Sequence, residues 1–114
     1  MKEEFLDYIE DIIEAMDDAV SFVEGVKRED LVKDRKTIYA VVRALEIIGE
    51  AVKRIPDWVR NRYPQIPWKD MTGMRDKLIH EYSGVDIKRV WKTVEEDIPN
   101  LKPLFEKILK DLQK

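Results

Sequence analysis

Between residues 34 and 55 the apolar side chains Ile38, Val41, Leu45, Ile48, Val52 and Ile55 recur at alternating spacings of three and four. That period belongs to one face of an α-helix. A second stripe, Ala40, Ala44, Ile47 and Ala51, is made mostly of small residues. A helix that is apolar on two sides is expected at the centre of a bundle, or partly covered by a second subunit. The fold is therefore expected to form around this segment, with Pro56 marking its end.

The same period appears twice more. Phe5, Tyr8, Ile9, Ile12, Ile13, Met16, Ala19, Val20 and Val23 predict a first helix over about 2–25, with Gly25 as its stop. Asp86 is a good N-cap for a later helix with Ile87, Val90, Trp91 and Val94 on its inner face. Pro99 bends or interrupts that pattern, and Leu101, Leu104, Phe105, Ile108, Leu109 and Leu112 carry it on to the end. The charged stretch 27–36, with Leu31 and Val32, suits a short helical turn. Residues 56–70 hold Pro56, Pro64, Pro67, Trp58, Tyr63 and Trp68, an aromatic connector with room for a short helix between Pro56 and Tyr63. A further helix is expected from Asp70 or Thr72 to about His80, broken by Ser83-Gly84. Charged residues make up 39% of the chain, hydrophobic residues 44%, and Gly and Pro are scarce, which favours helices over a sheet. The expected fold class is all-α: a bundle of four to five helices forming a single domain over 1–114.

The absence of cysteine excludes disulfides, thiolate metal sites and a cysteine nucleophile. The acidic N-terminal stretch is not expected to be a signal peptide, and no apolar run reaches the length of a membrane span. The cytoplasm is the expected compartment, with no membrane partner. The net charge of −3 does not mark the whole chain as a nucleic-acid binder. The distribution is uneven, however. Residues 1–24 hold one lysine against nine acids, 1 − 9 = −8, whereas residues 53–77 hold seven basic residues against three acids, 7 − 3 = +4. The basic segment could approach a polyanion or form an ordinary solvated face.

The chemistry-bearing residues gather just after that segment. On a helix of about 100° per residue, Arg75 falls among Met71, Leu78, Ile79 and Tyr82. A guanidinium in an apolar stripe needs an anionic partner, a wet cavity or a route to the surface. Glu46 or Glu50 could pair with it in the core. His80 is the only histidine. It lies about 140° around an ideal helix from Arg75. Either the helix ends before His80, or another subunit completes the site.

Arg75-Asp76-Lys77-Leu78-Ile79-His80-Glu81-Tyr82 has the order arginine, four residues, histidine, any residue, tyrosine. It resembles the active motif of the HEPN ribonucleases, especially the HepT-like toxins. Asp76 supplies the polar residue that the family favours after the arginine. Its surroundings fall in the family's order too. Residues 43–51 resemble the second long helix. Ile66-Pro67-Trp68, Met74-Arg75-Asp76, Val85-Asp86 through Trp91, and Glu95-Glu96-Asp97-Ile98-Pro99 follow, so the resemblance covers nearly the whole chain.

The resemblance implies metal-independent cleavage of RNA by the neighbouring 2′-hydroxyl, with no cofactor. His80 would be the acid/base, because imidazole titrates near neutrality. Arg75 would bind the phosphate and stabilise the transition state, because its fork stays charged and binds two oxygens. Tyr82 would donate a hydrogen bond or hold the histidine. Asp76 and Glu81 would support the site by orienting His80, or simply face solvent. One histidine does not easily serve both sides of a phosphate, so a homodimer with facing motifs is expected, and Ala40, Ala44, Gly49 and Ala51 would allow close helix contact. The resemblance further implies one half of a type VII-like toxin–antitoxin pair. Its partner would be a minimal nucleotidyltransferase antitoxin that silences the toxin by adenylylating Tyr82. The chain carries no nucleotidyltransferase signature of its own, so that enzyme would be a separate protein.

Three other readings compete. A non-catalytic helical module could dock a nucleotidyltransferase through Arg75 and His80. A plain structural bundle is the second. The third is a metal enzyme using Glu46 and Glu50, one turn apart as in bundle metal sites, although no Glu-x-x-His accompanies them.

Overall fold

The computed structural model describes residues 4–74, the backbone of 79–80, and 84–113. The elements in order are α1 (Glu4–Phe22), α2 (Arg28–Leu31), α3 (Arg35–Lys53), α4 (Asp57–Arg62) and α5 (Trp68–Thr72), then the two-residue strands β1 (Ile79–His80) and β2 (Gly84–Val85). Helix α6 (Ile87–Lys92) then runs through a π-helical turn at Thr93–Asp97 directly into α7 (Ile98–Leu112). The architecture is all-α, apart from the minimal β1–β2 pairing.

Helix α3 is the central rod. Ile38, Val41, Leu45, Ile48 and Val52 are buried on its first stripe. On the second stripe Ala44 and Ala51 are buried, while Ala40 and Ile47 are half-buried. Helix α1 makes the broadest contact with α3, and α5, α2 and α6 reach it from elsewhere. Helix α1 buries Phe5, Leu6, Ile9, Ile12, Ala15, Met16 and Ala19, and Val23 just past its end is buried as well. Val20, expected inside, is instead exposed. Helix α7 closes the other side of α1. Lys102 of α7 reaches Asp17 of α1 at 2.6 Å, a partly exposed pair whose energetic contribution is small.

The stops and starts have local causes. Gly25 takes φ +76°, the left-handed conformation that ends a helix at little cost to glycine. Asp34 caps α3, accepting from the Thr37 amide at 3.1 Å and from the Thr37 hydroxyl at 2.7 Å. The C-terminal carbonyls of α3 are held by Arg60, whose guanidinium donates to the Val52 carbonyl at 2.8 Å and to the Ile55 carbonyl at 3.0 Å. One cation of the basic segment is therefore committed to the fold rather than offered to a polyanion.

The aromatic connector packs as a unit. The buried Trp68 indole donates to the Tyr63 carbonyl at 2.9 Å, and its ring meets Phe105 of α7 edge to face at 5.5 Å. Tyr63 donates its hydroxyl to Asp111 at 2.9 Å. Burial, then that carboxylate, pushes the Tyr63 phenol above its usual range.

Pro99 does interrupt the last helix, by widening it. A proline lacks the N–H for the bond to residue i−4, and its ring crowds that carbonyl. The turn just before it opens to the π form, with Ile98 N–H donating to the Thr93 carbonyl. Thr93 is buried there, and its hydroxyl donates to the Arg89 carbonyl at 2.8 Å.

The helix expected from Asp70 or Thr72 to His80 is corrected at both ends. It starts earlier, at Trp68 behind Pro67, where proline suits the start of a helix. It also does not reach His80, because Ile79–His80 is extended and paired with Gly84–Val85. The local pull of Gly84, at φ +85°, favours a tight reversal over a continued helix.

Two stability predictions follow from these contacts. Phe105 is fully buried, so Phe105→Ala is expected to cost about 3–5 kcal/mol, read as a lower urea midpoint at unchanged slope. Hydrogen bonds from the Thr37 side chain, and then its amide, hold the Asp34 carboxyl below the usual carboxylate range. A pKa lower in the folded than in the unfolded state means the stabilisation is complete above the unfolded value and disappears as pH falls through the folded one. Asp34→Ala is therefore expected to melt below wild type at pH 7, with the gap closing in acid. A gap that stays constant with pH would assign the effect to something other than the carboxylate.

Candidate functional site

The segment carrying the expected motif is suspended between two fixed points. The first is the end of α5. Met71 is buried against α3, where Gly49 has no side chain. A Cβ at Gly49 would lie 3.4 Å from the Met71 carbonyl oxygen, at ordinary contact distance, so α5 packs close to α3 at this glycine. Met74, half-buried and just beyond the Gly73 cap of α5, stands immediately before Arg75.

The second fixed point is the N-terminus of α6. Its cap, Asp86, accepts from the Arg89 amide at 3.1 Å. Directly before it, β2 pairs antiparallel with β1 in the register Ile79↔Val85 and His80↔Gly84. The backbone of the only histidine is thereby tied two residues upstream of a helix cap. Arg75, Asp76, Glu81 and Tyr82 lie outside the described residues, as does the His80 side chain.

The two glutamates weighed as partners for Arg75 differ in setting. Glu46 is half-buried on α3, one turn before Gly49 and hence on the side that α5 approaches. Glu50 is exposed and lies 3.7 Å from the Lys53 ammonium. Among the described residues, no group of three or more His, Asp or Glu side chains converges as a metal site would require.

Beside the motif segment, α5 and the α6–α7 helix bound an open cleft of about 350 Å³. Its floor is apolar, from Met71, Met74 and Leu101. Its rim carries Arg89, Asn100, Asp70 and the Lys92–Asp97 pair, the last at 3.3 Å. No residue of the acidic α1 lines it.

The comparisons with known proteins decide what kind of chain this is. Residues 12–108 match the family described as ribonuclease HepT-like. The chain belongs to the HepT-like ribonuclease family. It is 54% identical over 110 residues to a probable ribonuclease HepT of Thermococcus cleftensis, covering 96% of this chain and 100% of that one. It is 50% identical over 106 residues to a candidate RNase of Methanocaldococcus jannaschii, covering 93% and 88%. A candidate RNase of Caldanaerobacter subterraneus is 45% identical over 102 residues, covering 90% and 91%. No solved structure matches.

Sequence reasoning missed the cleft. Arg89, Thr93 and Asn100 stand off the apolar stripe, on either side of Pro99, and follow no motif. The available signal was Thr93, a polar residue beside the buried positions Val90 and Val94 and six residues before Pro99. Membership of a HepT-like family makes the segment between Met74 and Gly84 the place to probe. Gly84→Val would force a β-branched residue into the left-handed region, at a cost of about 1–2 kcal/mol. The expected result is loss of hydrogen-exchange protection around the β1–β2 pair, while the core of α1 and α3 stays protected. Unchanged protection of the pair would mean the turn does not depend on Gly84.

Proposed function

We propose that the chain is a metal-independent endoribonuclease of the cytoplasm, the toxin of a type VII-like toxin–antitoxin pair, acting as a homodimer. What carries this reading is the Arg75, His80, Tyr82 motif, at its family spacing, in a chain that belongs to the HepT-like ribonucleases.

The roles follow from the chemistry. Attack by a 2′-hydroxyl on the adjacent phosphorus needs a base for the hydroxyl proton and an acid for the departing 5′-oxygen. It also needs positive charge on the equatorial oxygens. His80 handles the protons. Arg75 holds the phosphate through its fork. Tyr82 supports the histidine, and Asp76 and Glu81 orient it. In a homodimer, His80 of one protomer takes the hydroxyl proton and its counterpart in the other protonates the leaving oxygen. Adenylylation of Tyr82 by a separate minimal nucleotidyltransferase would place a phosphate beside Arg75 and a nucleotide in the path of RNA, silencing the enzyme.

An extended backbone at Ile79–His80 favours this reading over a continuous helix, because the angular separation of about 140° between Arg75 and His80 applies only to an unbroken helix.

The test is cleavage of total RNA in EDTA by protein freed of any partner, with Tyr82 confirmed unmodified by mass spectrometry and His80→Ala purified in parallel. Wild type is expected to cleave and His80→Ala to lose at least a hundredfold, in line with the loss of a general acid/base. If folded, unmodified wild type leaves RNA intact, the enzyme reading fails and a helical module that docks a nucleotidyltransferase replaces it.

A further inference from the structure

We propose that the cleft between α5 and the α6–α7 helix is a nucleotide subsite, holding an RNA nucleotide next to the scissile phosphate. In it, Arg89 contacts the backbone phosphate and Asn100 reads the base edge. The inference rests on the ribonuclease reading above and extends it to residues outside the motif.

Position is the first argument. Met74, which lines the cleft, immediately precedes Arg75, and Arg89 lies three residues after the cap that follows the His80 hairpin. One end of the motif segment therefore borders this cleft directly, and the helix that follows the other end lines its far side. An RNA strand whose scissile phosphate sits at the motif would have a neighbouring nucleotide within reach of it.

Chemistry is the second argument. A base needs an apolar surface for its faces and polar groups for its edge. Met71, Met74 and Leu101 supply the first. Asn100, exposed at the start of α7, offers both a donor and an acceptor.

Charge is the third. Lys92 is already engaged, at 3.3 Å from Asp97 and 3.9 Å from Glu96. The Arg89 guanidinium makes no ion pair among the described residues, and its own backbone is fixed through the Asp86 cap and the Thr93 hydroxyl. It is thus a rigidly based cation at the mouth of a base-sized cleft, suited to a phosphodiester.

The π-turn contributes to the wall of the cleft. Thr93 and Asp97, at the two ends of that turn, both line it.

The test uses the full chain and a short fluorescent RNA made uncleavable by 2′-O-methyl groups, together with sequencing of cut ends from cleavable RNA. Arg89→Ala is expected to weaken binding about tenfold. Asn100→Ala is expected to blur the base preference beside the cut while keeping most of the cleavage rate. Both residues are exposed, so folding is checked simply by the melting curve. If wild type cleaves RNA and the two variants bind and cut as it does, the subsite is wrong while the ribonuclease stands. If wild type binds the RNA through Arg89 but does not cut it, the subsite stands and the enzyme reading falls. Failure of wild type to bind the RNA at all overturns the subsite.

Discussion

The burial of α3 on both of its faces is the constraint from which the rest of the structure follows. A helix with one apolar stripe needs one neighbour, whereas α3 has Ile38, Val41, Leu45, Ile48 and Val52 on one side and Ala44 and Ala51 on another. The large side chains are met by α1. Gly49 lies on a different face from those alanines, and there the backbone of α5 comes close, with the Met71 carbonyl oxygen 3.4 Å from where a Cβ would stand. The end of α5, next to the motif segment, is thus packed on a helix that contributes no residue to the motif.

The far end of that segment depends on a different device. Helix α6 passes into α7 through the π-turn that accommodates the ring of Pro99, and Thr93 and Asp97 at the two ends of that turn line the cleft beside α5. The buried Thr93 hydroxyl ties this turn back to the Arg89 carbonyl, so the irregularity is satisfied rather than strained. Irregular turns inside helices recur at functional sites because they reposition side chains without breaking the rod. In this chain the repositioned residues are those that line the cleft.

Much of the fold was legible in the sequence for a simple reason. Amphipathic period, glycine stops and aspartate caps are local signals, and α1, α3, Gly25 and the Asp86 cap all appear where those signals place them. The illegible features are those set by tertiary contact. Arg60 reads as part of a basic patch, yet it caps the end of α3, because its reach to the Val52 and Ile55 carbonyls depends on the turn at Pro56. Val20 continues the stripe, yet it is exposed while Ala19 and Val23 on either side are buried, because only the neighbours that pack on α1 decide how wide its buried face is. The cleft was invisible because it is made of residues from two distant segments and follows no spacing.

The motif itself shows where helical reasoning has a limit. Four residues separate Arg75 from His80, which on a helix places them on different faces, and an argument from periodicity alone would separate the two groups that the resemblance joins. Ile79 and His80 are extended and paired with Gly84 and Val85, so no unbroken helix runs through the histidine. A helical period is then the wrong measure of this motif, because an extended backbone repeats every two residues rather than every 3.6. The spacing of the motif carries its meaning through the resemblance and not through a shared helix face.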